Sequence, residues 1–300
     1  MQMRTICIMV AIMKRAFFVI LLSAVLMAAG GCSAGTLADT NGQGALTVAV
    51  TIVPEKAFVE AVGKDLVDVV LMVPPGSSPE SYEPTAAQMQ EFSKASLHFA
   101  IGVPVEEAGI LDRAGEGTKI VRLQDEVALK TPDRELAPGQ RDPHIWLSPR
   151  RVMTMVSAIA RELGRADPAH RDAYEANAKN YIEELEALNR RIGTILASAK
   201  HKTFIVFHPA FGYLADDYGL TMAALEEEGK EATPHHLREM IDLARSKGIR
   251  TVFFQDEVDS RQSEAFAEEI GGQTVRLDPL AADYADNLER MAGLIAEGAK

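Results

Sequence analysis

From residue 45 onward the chain alternates short apolar runs with amphipathic stretches. "ALTVAVT" (45–51) reads as a buried strand and 54–63 as a helix. "VDVVLMV" (67–73) is again a strand, and 85–95 a helix with Thr85 as N-cap. "LHFAI" (97–101), a helix near 104–113 and "KIVRL" (119–123) complete a first set. Strands that alternate with helical patterns predict a mostly parallel sheet.

The rhythm changes between 149 and 200. Pro149 to Gly164 is helical, and after Asp167 the segment 168–199 carries one apolar stripe. Tyr174, Tyr181, Leu185, Leu188, Ile192 and Ile195 are spaced 7, 4, 3, 4 and 3, which is helical spacing. At 1.5 Å per residue this helix would measure roughly 48 Å. That is too long for one crossover in a small sheet and suits an element spanning two lobes. The alternation then resumes with strands at 203–207, 221–225, 251–255 and 274–277, and helices at 209–218, 234–247, 260–270 and 283–297. The expected fold is α/β: two lobes of about four mainly parallel strands each, flanked by helices and joined by a long rigid helix. The lobes are expected at 45–148 and 201–300, with linking helices over 149–200.

The beginning of the chain reads differently. Met13-Lys14-Arg15 precedes "AFFVILLSAVLMAAGG", an apolar run of 16 residues ending in small ones. It is short for a membrane span and fits a signal peptide over 1–31. Met13 is an alternative start. Cys32 follows "AAGG" directly, the pattern of lipoprotein processing, in which the lipid is added to that cysteine; Ala29 stands where leucine is usual. The other reading is ordinary cleavage near Ala34. Residues 32–44, small and polar, form an expected tether. Cys7 precedes the apolar run, so the mature chain has no internal disulfide or thiolate metal site. The formal net charge of −12 becomes −15 without the leader, which has three basic and no acidic residues. Such a surface repels nucleic acid and not cations.

In open parallel sheets, ligands bind beyond the carboxyl ends of the strands. The polar groups at these ends are few. Glu80 lies in "PPGSSPESYEPT" (74–85), a loop stiffened by four prolines. His208 lies in "FHPAFGY", Asp256 and Glu257 follow "TVFFQ", and Asp278 lies in "LDPL". His144 stands in "RDPHIWLSP" near the end of the first lobe. Two imidazoles and several carboxylates around one cleft suit a divalent transition metal. Any one of them alone is more often a cap or loop residue. His98 reads as a buried or edge histidine, and His170, His201, His235 and His236 as solvated ones. Phosphate loops, H-E-x-x-H and C-x-x-C motifs are absent. A metallohydrolase would need a general base, and no residue is nominated for one.

Five ordered segments carry a resemblance: "PPGSSPESYEPT", "DPHIWLSP", "FHPAFGYLADDYGL", "LEEEGKEATP" and "GGQTVRLDPLA". From about residue 46 to the C-terminus the chain resembles the zinc/manganese-type solute-binding proteins of metal ABC transporters. The resemblance implies a metal held between two lobes by one ligand from each of four segments, for delivery to a permease and its ATPase by a lipid-anchored, monomeric, non-enzymatic protein outside the inner membrane. The implied ligands are Glu80, His144, His208 and Asp278. Glu80 departs from the family, which has a histidine there; the alternative is that it points to solvent and the site has three protein ligands plus water. Glu83 matches a glutamate that is not a ligand. A carboxylate favours manganese more than an imidazole does, while zinc outranks manganese at almost any nitrogen and oxygen site. Zinc comes first, then manganese, with iron behind. Residues 105–141 lack the histidine-rich loop that some zinc-specific members carry. A metal-dependent hydrolase and a surface adhesin-type lipoprotein are the rival readings.

Overall fold

The computed structural model describes residues 44–226, 230, 232–256 and 261–299. The expected signal peptide, Cys32 and all of the tether before Gly44 lie outside these residues, as does Glu257. Ala45–Lys300 forms one compact unit.

That unit contains two four-stranded parallel sheets. In the first, β1 (Leu46–Val50), β2 (Val67–Leu71), β3 (Leu97–Ala100) and β4 (Lys119–Arg122) lie in the order β2-β1-β3-β4. A small antiparallel hairpin follows, β5 (Glu135–Ala137) with β6 (Gln140–Arg141). In the second, β7 (Thr203–Val206), β8 (Thr221–Ala224), β9 (Thr251–Phe254) and β10 (Gln273–Arg276) lie in the order β10-β9-β7-β8. Counted within each lobe, both orders are 2-1-3-4. The architectural repetition expected from the alternation is therefore a repetition of topology as well. In each sheet the order reverses between the lobe's first and third strands, which is where a doubly wound sheet opens a crevice.

The long helix spans Arg171–Ala197, about 40 Å, and a 3-10 turn over Pro168–His170 precedes it. Pro168, which lacks an N–H, sits where the preceding helix Pro149–Ala166 has ended. Tyr174, Leu185, Leu188 and Ile192 of the apolar stripe are buried. The helix packs on both lobes, against Val53–Gly63 of the first and Tyr284–Gly298 of the second. Asn177 Nδ2 donates to Val62 O at 2.9 Å and Arg191 pairs with Glu289 at 2.8 Å.

Local signals held at several boundaries. Thr85 caps the helix Ala86–Phe92, its side chain accepting from Gln88 N. Gly248, at φ 69°, ends the helix Pro234–Lys247 in the left-handed conformation that glycine tolerates. The segment near 104–113 is less regular than expected: a π turn over Glu106–Ile110 leads into a 3-10 turn over Leu111–Arg113. The hairpin β5–β6 and the helix Leu123–Ala128 follow no clear apolar period and were not foreseen. His98 is fully buried on β3, a central strand.

Candidate metal centre

The loop after β2 is pinned before it reaches the cleft. Tyr82 N donates to Ser78 O at 3.0 Å, Val105 N to Pro79 O at 3.1 Å, and Glu80 N to Ser78 Oγ at 3.2 Å. Gln88, from the capped helix, donates through Nε2 to Met72 O and accepts from Tyr82 Oη. Gly76, at φ 79°, makes the turn that a side chain would strain. Glu80 is thus presented by a loop tied at several points, with its side chain about one-third exposed. Glu83 faces solvent.

His208 comes from the other lobe. The register aligns Val206 of β7 with Ala224 of β8 and Phe253 of β9. Two residues beyond each of these stand His208, Glu226 and Gln255. The crevice of the second sheet is therefore edged by an imidazole with a carboxylate on one side and an amide on the other.

Glu80, His144 and His208 converge, each offering a ligand atom within 4.8 Å of the others. Among the described residues they are the one such group of histidine, cysteine and acidic side chains. His208 Nε2 lies 2.8 Å from Glu80 Oε1 and 3.1 Å from His144 Nε2. Ligand atoms around a tetrahedral zinc ion lie about 3.3 Å apart, from zinc–nitrogen distances near 2.0–2.1 Å. The two separations from His208 lie within a few tenths of an ångström of that spacing.

Both rings are held from behind. His144 Nδ1 lies 2.8 Å from Asp142 Oδ1, and His208 Nδ1 lies 2.7 Å from Glu226 Oε2. A carboxylate on Nδ1 fixes the tautomer and leaves the Nε2 lone pair for a metal, the arrangement common around metal-bound histidines. Asp142 is fully buried and is itself held by Arg134 at 3.4 Å, and its carbonyl accepts from Tyr213 Oη. Arg134 lies across Gly212, where an added Cβ would meet its guanidinium at 2.4 Å.

Burial alone would lower the His208 pKa. The hydrogen bonds and charges of Glu226 and Glu80 outweigh it and raise the pKa to about 9. Burial would raise the pKa of Glu80; its hydrogen bond to His208 and the nearby His208 and His144 charges bring it below the usual value. In the metal-free protein a proton on His208 therefore supplies the positive charge that the cluster is built to hold.

Asp278 is not brought into this trio. Its Oδ1 accepts the Leu280 N–H at 3.1 Å, closing its own turn, while its neighbours Pro279 and Leu280 line the cavity beside the trio. Asp256 is exposed and pairs with Arg276 at 2.6 Å. His235 and His236 lie near Glu239, at 3.5 and 3.8 Å, on the helix Pro234–Lys247.

Residues 48–298 match the family model described as zinc-uptake complex component A, periplasmic. The chain belongs to this family. It is 28% identical to the high-affinity zinc uptake system protein ZnuA of Bacillus subtilis, over 93% of this chain and 92% of that protein. It is also 28% identical to the zinc-binding lipoprotein AdcA of Streptococcus pneumoniae, of which it spans only 54%. Among solved structures, a crystal structure of ZnuA aligns with a TM-score of 0.80 at 37% identity, covering 85% of this chain and all of that one. The laminin-binding protein Lmb of Streptococcus agalactiae, described as having adhesin and metal-transporting activity, aligns at 0.76 with 25% identity, covering 85% of this chain and all of that one. The two-lobed fold of this zinc-uptake family is thus the fold described above.

Asp142, Glu226 and Gln255 were not nominated by the sequence. Asp142 could have been, because it stands two residues before His144 in "DPH". Glu226 and Gln255 become neighbours of His208 only through strand register.

Proposed function

We propose that this protein captures zinc in the cleft between its lobes and delivers it to an ABC permease driven by its ATPase. The observation that carries this is the convergence of Glu80, His144 and His208 from both lobes, each imidazole backed by a buried carboxylate. These three residues would hold the ion, which is cargo and not a resident cofactor. Two imidazoles favour zinc; the carboxylate at 80 leaves manganese as the second cation, then iron. Asp278, in the position the family resemblance implies for a ligand, holds Leu280 N through Oδ1 and lies outside the converging trio, so we assign it the edge of the site.

Binding here is capture without chemistry. The backing of both rings makes the site pre-organised, and the lobes are bonded to each other around it. Trp146 Nε1 donates to Pro279 O at 2.9 Å, and Tyr284 Oη donates to Trp146 O at 2.7 Å. With the long helix packed on both lobes, release and capture would use local movement of the Glu80 loop more than wide opening. Residues 1–31 would serve as signal peptide, Cys32 as lipid anchor and 32–44 as tether, placing a monomer outside the inner membrane with lobes at 45–148 and 201–300. Relatives of this chain are metal-binding transport components, which favours a binding protein over a hydrolase.

The test is elemental analysis of protein purified without added metal, followed by competition between zinc and manganese. Zinc retained at one ion per chain and preferred over manganese supports the reading. A chain that binds neither ion, or that turns over an ester with added metal, overturns it.

A further inference from the structure

Gln255 stands one step past the end of β9, beside His208 and on the opposite side from Glu226. It is 3% exposed, and its Nε2 is buried with no hydrogen-bond partner. Buried amides in native proteins are almost always paired, so an orphan calls for a cause.

Its surroundings supply one. Gln255 lines a cavity of about 30 Å³ together with Glu80, His144, Trp146, His208 and Pro279. A space of this size can hold a water. Several other polar atoms on its wall are already engaged. Ser78 Oγ accepts the Glu80 N–H, and both histidines have committed Nδ1 to carboxylates. Three converging ligands leave a tetrahedral ion one position short.

We propose that Gln255 is a positioning residue of the metal site: its amide accepts a hydrogen bond from a water that fills the fourth coordination position of the captured ion. A metal-bound water is a donor and needs an acceptor. A half-turn of the terminal amide presents either its oxygen or its nitrogen at the same shape, so the carbonyl can face the cavity. The amide is neutral, so it orders the water without adding a second negative charge to that of Glu80. It also tunes the site, because outer partners of this kind orient what the ion holds. This inference rests on the zinc-capture reading above.

The experiment compares wild type with Gln255→Met, which keeps the shape and removes both polar atoms, and with Gln255→Leu should the first fail to fold. Zinc dissociation constants are measured by competition with a chromophoric chelator, cobalt-loaded protein is examined by visible absorption, and the metal-free protein is melted. The expected result is roughly ten-fold or greater weakening of zinc binding, in the range for lost outer partners. The cobalt spectrum should change, and the metal-free melting temperature should hold or rise, because an unpaired buried amide has gone. An unchanged zinc constant and cobalt spectrum overturn the inference. So does weakening matched by a lower melting temperature, which would make Gln255 a packing residue, or a loss seen instead with Asp278→Asn. His208→Ala serves as the control. If wild type itself takes up no zinc, it is the capture reading that fails.

Discussion

His208 and His144 face each other across the lobes with their Nε2 atoms 3.1 Å apart, and each turns its Nδ1 to a buried carboxylate. Neither ring can rotate without breaking that rear bond, so the order behind the rings sets the order in front. Glu226→Gln and Asp142→Asn keep the shapes but lose the charges that polarise the rings. Each is expected to weaken zinc binding by roughly 10–100-fold. Asp142→Asn should also lower thermal stability, since Asp142 accepts the His144 N–H and pairs with Arg134. Isothermal titration and melting of the metal-free protein check both; full zinc affinity in both variants would refute the rear-bond argument.

Glu80 is the only carboxylate of the trio and the most exposed member. Glu80→Ala should cost zinc affinity more than loss of an outer partner does, so beyond roughly 100-fold. Glu80→His restores a nitrogen donor and should retain zinc while weakening manganese, because imidazole suits zinc better than manganese and carboxylate suits both. Competition titrations of the two ions against both variants decide this. An unchanged dissociation constant in Glu80→Ala would remove Glu80 from the ligand set.

The raised pKa of His208 makes binding depend on pH in a stated direction. Its pKa is about 9, above the ordinary value of about 6.5, so the metal-free cluster carries a proton at neutral pH. Glu80 is shifted down and stays ionised. Zinc must displace the His208 proton, so about one proton should be released per ion between pH 7 and 8. Apparent affinity should rise with pH and level off above about 9. The stability of the metal-free protein should run the other way. The His208 contribution is full below about pH 6.5 and is lost as pH rises through about 9. Titration calorimetry in buffers of different ionisation enthalpy measures the proton count, and a value near zero at pH 7 would contradict the assignment.

Much of this was legible in the sequence, for reasons that differ by residue. The strands and the long helix follow from apolar periodicity, which needs only nearest neighbours along the chain. Glu80, His144 and His208 could be singled out because each stands at the end of an element and beside proline. Glu226 and Gln255 could not. They lie 18 and 47 residues after His208, and only the parallel pairing of Val206 with Ala224 and with Phe253 brings all three together. Asp278 shows the opposite limit. Its position at a strand end nominates it by place, but its Oδ1 accepts from Leu280 N, a choice of rotamer that sequence does not carry. The hairpin β5–β6 is too short for a period to show.

A second polar cluster lies wholly inside the first lobe, and it makes a separate prediction about stability. Thr51, Glu55, His98 and Glu106 are all fully buried. Glu106 accepts from Thr51 Oγ1, Ile101 N and Gly102 N, so its ionised form is well supplied with donors. Glu55 accepts from Thr51 N and Ile52 N through one oxygen, while Oε1 has no partner. Burial, then the Glu106 charge, push the Glu55 pKa well up, so Glu55 carries the proton of the pair. An acid whose pKa is raised by folding binds protons more tightly in the native state, and native stability therefore falls as pH rises above its unfolded value of about 4.3. Glu55→Gln keeps an oxygen for the two backbone N–H groups and removes the titration. The variant is expected to be more stable than wild type at pH 8, because only the wild type must take up a proton to fold there. The gap should narrow toward pH 5, where Glu55 is protonated in both the native and, increasingly, the unfolded state. Urea denaturation of the metal-free protein at the two pH values measures this, and a variant less stable than wild type at pH 8 would show that Glu55 is ionised in the native core.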